Sequence, residues 1–179
     1  MMIHPIVAVA CSLVLAVILL TGASHKLRAP HRFARQIEDY ALLSGHAVSL
    51  AARALPVLEV LIAVALLVPG LRAWGAASAA LLLALYTAAI AINLWRGRRE
   101  IDCGCSGPGL ERPLSGALLV RNAVLIAMAV LAAMPSTTAV LHGFGLFLIG
   151  ASVAAVLILY TATEGLLTNQ PRLKSLSGR

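Results

Sequence analysis

The sequence predicts an all-α integral membrane protein, a bundle of about five transmembrane helices with a short interfacial amphipathic helix after the first span. Three observations carry this prediction. First, 60% of the 179 residues are hydrophobic, only 12% are charged, and the mean hydropathy is +0.93. A soluble domain has roughly 45–50% apolar and about 25% charged residues, so this chain has too few polar side chains for a water-facing surface. Second, the apolar residues gather into five runs, each near the roughly 20 residues that cross a hydrocarbon core of about 30 Å. Third, the basic residues fall between those runs.

The same figures exclude other classes. With 14 Gly, 8 Pro and 3 Cys, the chain is neither collagen-like, disordered nor a disulfide scaffold. A net charge of +7 would suit nucleic acid only on a soluble surface with a clustered basic face, so no nucleic-acid partner is expected. The partner that the composition calls for is the lipid bilayer.

The first predicted span covers 3–22. It lacks a basic leading segment and is longer than the apolar part of a signal peptide, so it reads as a retained helix. Cys11 within it reads as a small buried apolar residue. The segment 30–43 follows, with Phe33, Ile37 and Tyr40 at helical spacing and Arg32, Arg35, Gln36, Glu38 and Asp39 on the other faces. That pattern predicts a short helix lying at the membrane surface.

The second span, 48–69, is interrupted by Arg53, Pro56 and Glu59. Pro56 is expected either to kink it or to sit in its first turn, where a missing N–H costs little. Spans over 73–94, 114–134 and 140–167 complete a single membrane domain of residues 1–179, with a polar loop at 95–113. Alanine-rich stretches such as 76–91 suit close helix packing in lipid.

Lys and Arg are distributed unevenly between the two sides. Lys26, Arg28, Arg32, Arg35 and Arg53 fall in or beside the first connection, Arg96, Arg98, Arg99 and Arg112 in the third, and Arg172, Lys174 and Arg179 in the tail. Arg72 stands alone on the other side. The positive-inside rule then predicts an external N-terminus, with both long loops and the C-terminus in the cytoplasm.

The 95–113 loop carries Asp102-Cys103-Gly104-Cys105. Two cysteines in a turn-rich polar loop are not explained by packing. Residues two apart lie near disulfide separations, and Gly104 lets the backbone bend; the small ring would be strained and easily reduced. Arg98 and Arg99 favour a thiolate, whereas Glu100 and Asp102 oppose it. The pair also suits a soft metal such as Cu(I), Zn(II) or Hg(II), or a structural disulfide. A closed zinc site would need four ligands, which this loop lacks.

A second set of residues is ionisable or polar within the spans, where such groups are costly and are generally paired or functional. Glu59 and Arg121, of opposite sign, are expected to pair across two helices, with Lys26, Asn93 and Asn122 joining an intramembrane polar network. The competing reading has Arg121 snorkelling to the headgroups and Glu59 in water. Glu164 is expected to be solvated. His4, His25, His31, His46 and His142 are scattered, without the spacing of a metal or hydrolase motif.

In the order and spacing of Gly22-Ala23-Ser24-His25-Lys26-Leu27, Phe33, Tyr40, Glu59, Asp102-Cys103-Gly104-Cys105 and Arg121-Asn122, the chain resembles the MauE family of methylamine utilisation proteins. That family lies within the wider MauE/DoxX group of small redox-associated membrane proteins. The resemblance implies a multi-pass protein of the bacterial cytoplasmic membrane that supports disulfide formation or isomerisation in an exported client, the methylamine dehydrogenase β subunit. It also implies a thioredoxin-like partner, MauD. Cys103 and Cys105 become the catalytic thiol–disulfide pair, passing electrons to that partner. No cofactor is predicted, and the residues specify no quinone.

The client folds outside the membrane, whereas the charge pattern places the cysteine loop inside. A relay through the bundle, a loop reached from outside, or a span count off by one would each reconcile them. Two alternatives to the redox role are a mercury-type soft-metal transporter and a membrane assembly factor without redox chemistry.

Overall fold

The computed structural model describes residues 3–102, 113–136 and 143–177, with side chains described as far as 166. Its order is α1 (Pro5–Arg28), α2 (Pro30–Asp39), α3 (His46–Leu67), α4 (Arg72–Trp95), α5 (Gly116–Ala133) and α6 (Gly143–Ser177). All except α2 contain a stretch long and apolar enough to cross a membrane, giving five candidate spans.

Local chemistry sets the ends of these elements. His4 caps α1, its Nδ1 accepting from the Ile6 amide at 3.3 Å, and Pro5 occupies the first turn, where no N–H is needed. The helix then continues six residues beyond the expected boundary at residue 22, carrying His25 and Lys26 on its last turns. Pro30 starts α2 in the same way, and the helix stops at Asp39, short of the expected 43, as Ala41 turns with φ 48°. Gly97, with φ 75°, ends the path out of α4. Pro56 lies in the interior of α3 and not in its first turn.

The core runs along the middle of the bundle. Leu15 and Leu19 of α1 meet Ile62 and Leu66 of α3, Leu82 of α4 and Leu125 of α5. Alanines such as Ala63, Ala76, Ala79 and Ala129 are fully buried between them, so the backbones approach closely. Among the described glycines the least room is at Gly75, where a Cβ would lie 2.7 Å from the Leu66 amide nitrogen. Cys11 is a free, buried thiol in this core.

The outer surface is apolar. Trp74 and Trp95, near the two ends of α4, are 76% and 90% exposed. Their separation along the helix is about 31 Å at 1.5 Å per residue, matching a hydrocarbon core bounded by two aromatic belts. Helix α6 packs on α1 and, of its described side chains, buries only Ile149.

Alternation of the spans gathers the C-termini of α1 and α4 and the N-termini of α3 and α5 at one end, together with α2 and the described residues on either side of 103–112. At the opposite end the Ile3 amide donates to the Pro135 carbonyl at 3.1 Å, and Arg72 donates to the Ser136 hydroxyl at 3.0 Å.

Candidate functional site

Three polar groups lie towards the loop end. The first is built on α1, α3 and α4. Lys26 and Glu59 form a buried ion pair. Tyr86 of α4 donates to the same Glu59 oxygen at 2.8 Å, and the Lys26 ammonium lies 3.4 Å from the Tyr86 hydroxyl. The ammonium also sits over two ring faces, 5.1 Å from the Phe33 centroid and 4.9 Å from that of Tyr86, a cation–π arrangement that strengthens away from water. The second Glu59 oxygen, Oε2, is buried without a hydrogen-bond partner among the described residues.

Glu59 therefore pairs with Lys26 and not with Arg121, contrary to the sequence expectation. Helix α3 lies against α1, which carries Lys26, and against α4, which carries Tyr86. Arg121 turns the other way. Its Nη1 donates to Glu164 of α6 at 3.2 Å, and its Nε and Nη2 donate to the Asn122 side-chain carbonyl at 3.2 and 3.0 Å. Asn122 in turn donates to Thr87 at 3.2 Å. Glu164, expected in solvent, is thus held against Arg121 with little exposure.

Asn93 is fully buried but joins neither group. Its amide donates to the Ala89 carbonyl at 3.1 Å, and its side-chain oxygen accepts from Arg98 at 3.5 Å. Of the five residues expected in one network, Lys26 pairs with Glu59 and Arg121 donates to Asn122, while Asn93 bonds Ala89 and Arg98. Tyr86, Thr87 and Gln36 were missed as partners. A lone phenol within an apolar run was the available signal for Tyr86; Thr87 and Gln36 gave none.

The third group anchors the loop. The Asp102 carboxylate accepts from Gln36 at 2.7 Å and from Arg32 at 3.3 Å, both on α2. The Leu114 amide donates to the Arg99 carbonyl at 2.9 Å, and Asp102 bridges Pro113 in antiparallel fashion, so the two segments that flank residues 103–112 are joined in a neck. Ile101 and Leu114 pack beneath it with Ile90 and Leu118. Cys103 and Cys105, the expected redox pair, follow Asp102 directly in the sequence and lie outside the described residues, as does His142.

A family model described as methylamine utilisation protein MauE matches residues 4–135, from the start of α1 to the end of α5. The chain belongs to the MauE family. The MauE protein of Paracoccus denitrificans is 35% identical over 99% of this chain and 98% of its own length. That of Paracoccus versutus is 36% identical over 98% and 97%. That of Methylophilus methylotrophus is 43% identical over 70% of this chain and 64% of its own. The MauE family match includes all three polar groups except Glu164, which lies on α6 beyond it. No solved structure matches the chain.

Proposed function

We propose that this protein is a methylamine utilisation accessory factor of the bacterial cytoplasmic membrane, in which Cys103 and Cys105 perform thiol–disulfide exchange for an exported client through a thioredoxin-like partner. The observation that carries this reading is the Cys-Gly-Cys unit placed immediately after Asp102, whose carboxylate is tied to α2 at the neck of the loop. The names of the relatives support the metabolic context. The expected client is the methylamine dehydrogenase β subunit and the expected partner is MauD-like.

One of the two cysteines, as a thiolate, attacks the partner's disulfide, breaking that S–S bond and forming a mixed disulfide. The other cysteine then attacks the mixed disulfide, leaving the partner as a dithiol and Cys103 and Cys105 as a disulfide. For disulfide formation the same exchange runs in reverse, with electrons passing from the partner to the cysteines. The basic residues gathered at the loop end, among them Arg28, Arg35, Arg96 and Arg99, favour a cytoplasmic placement of that end and an external N-terminus.

Single replacements of Cys103 and Cys105 by Ser test the reading. One variant is expected to accumulate a mixed disulfide with the partner, and the double variant to lose client maturation. Full maturation with both cysteines replaced would overturn it in favour of a non-redox assembly role. Cysteine-dependent uptake of Hg(II) by intact cells, without mixed disulfides, would favour soft-metal transport.

A further inference from the structure

Helix α2 does not close its apolar side against protein. A cavity of 160 Å³ lies between α2, α3 and α4. Phe33, Ile37 and Tyr40, the apolar stripe of α2, all line it, yet of the three only Phe33 is buried. Ala51 of α3 and Ala89 of α4 line it too, and their short side chains leave the space open. Leu42 and Leu43 complete the lining and are themselves exposed, so the cavity opens on the apolar outer surface of the bundle.

The polar atoms around it are already engaged. Lys26 is paired with Glu59 and contacts the Tyr86 hydroxyl, which itself donates to Glu59, and Gln36 donates to Asp102. A buried water needs two to four polar partners, so a space walled in this way stays dry. A dry void in turn deprives the side chains around it of dispersion contacts. The lining therefore accepts an apolar occupant. About 150 Å³ of such space takes a six-carbon ring, so this cavity takes a chain segment of about the same carbon number.

Depth and charge identify the source of that segment. Ala89 precedes Trp95 by six residues, about 9 Å along α4, so the cavity lies on the hydrocarbon side of the aromatic belt. Arg96 follows Trp95, at headgroup level, and donates to the Ala41 carbonyl at 3.4 Å, next to Leu42 at the mouth. Arg96 is exposed, and of its five N–H donors that bond uses one. An apolar opening towards lipid, with a cation beside it at headgroup level, matches a phospholipid whose chain enters past Leu42 and Leu43 and whose phosphate rests on Arg96.

We propose that the cavity seats one acyl chain of an anionic phospholipid from the surrounding bilayer, and that this chain braces α2 against α3 and α4. The seat involves neither cysteine and does not depend on the thiol chemistry proposed above. Because Gln36 and Arg32 of α2 hold Asp102, a braced α2 also steadies the neck.

The test uses the full chain, purified in mild detergent and delipidated stepwise, with native mass spectrometry reading the lipid that remains. A single phospholipid should stay bound after the rest are gone. Ala51→Phe and Ala89→Phe, which fill the cavity from α3 and α4, should weaken its retention about tenfold by overpacking the site. Leu81→Phe, on the exposed face of α4, should not. Arg96→Gln should release phosphatidylglycerol more readily than the wild type. A phosphatidylglycerol with a diazirine in its acyl chain should crosslink to the cavity residues of α2, α3 and α4 in the wild type, which keeps the test independent of how the filled variants fold. Amide hydrogen exchange in α2 should quicken several-fold on full delipidation and slow again when phosphatidylglycerol is restored.

Loss of all lipid together, or crosslinks spread as heavily over exposed α6 as over the cavity, would overturn the seat and leave only bulk bilayer contact. So would unchanged retention in folded filled variants, or recovery of a different apolar molecule or a second copy of the chain in the same place. Exchange in α2 that ignores the lipid would overturn the bracing.

Discussion

Lys26, in the last turns of α1, and Glu59, in the interior of α3, form an ion pair whose side chains are 6% and 2% exposed. Removing either partner leaves an uncompensated buried charge, which costs about 3–5 kcal/mol, whereas replacing both by apolar groups can be nearly neutral. Lys26→Met and Glu59→Leu are therefore expected each to lower the unfolding midpoint in detergent, and the double variant to recover much of the loss. Additive losses would show that the pair does not join α1 to α3 energetically.

Arg121 and Glu164 form the ion pair between α5 and α6. Polar contacts between membrane helices contribute about 0.6 kcal/mol on average, up to about 1.7 kcal/mol. Glu164→Gln should destabilise within that range. Because Glu59 pairs elsewhere, combining Glu59→Leu with Arg121→Gln should give the sum of the single effects. A coupling above about 0.5 kcal/mol in that cycle would contradict the separation of the clusters.

At Gly75, α4 lies hard against the backbone of α3. A Cβ at this position would meet the Leu66 nitrogen at 2.7 Å and the Ala65 carbonyl carbon at 2.8 Å, both of them backbone atoms that cannot swing aside. Gly75→Ala should cost about 1–3 kcal/mol through overpacking. Gly70→Ala, with open space around the added methyl group, serves as the comparison and should leave the melting temperature near wild type.

Asp102 holds the loop neck to α2. Its bond to Gln36 is 2.7 Å and its bond to Arg32 is 3.3 Å, both of them part-buried. Asp102→Ala should remove a charge-assisted contact of about 1.5 kcal/mol. In a Cys11→Ala background, alkylation of Cys103 and Cys105 should then quicken several-fold. Unchanged alkylation would mean that the neck does not control access to the cysteines.

How far the sequence reaches depends on the scale of the force involved. The apolar runs are legible because the bilayer demands them, and ionisable residues such as Lys26, Glu59 and Arg121 stand out because charge is expensive at that depth. Their partners are not legible. Opposite sign made Glu59 and Arg121 a natural pair, but pairing depends on which helices touch and how each is rotated about its axis. Neither is encoded in the local pattern. Glu164 illustrates the same limit, since its expected place near the end of a span says nothing about an arginine on another helix.

By itself the sequence determined the helical class, the five apolar spans, the amphipathic segment after the first and the residues that resemble the MauE family. These follow from hydropathy and local spacing, which act over single helices. Only the tertiary structure decided that Lys26 takes Glu59 and Tyr86, that Arg121 takes Glu164, and that Gln36 connects the cavity lining to Asp102. Those contacts arise where separate helices converge at one end of the bundle, and packing places them there.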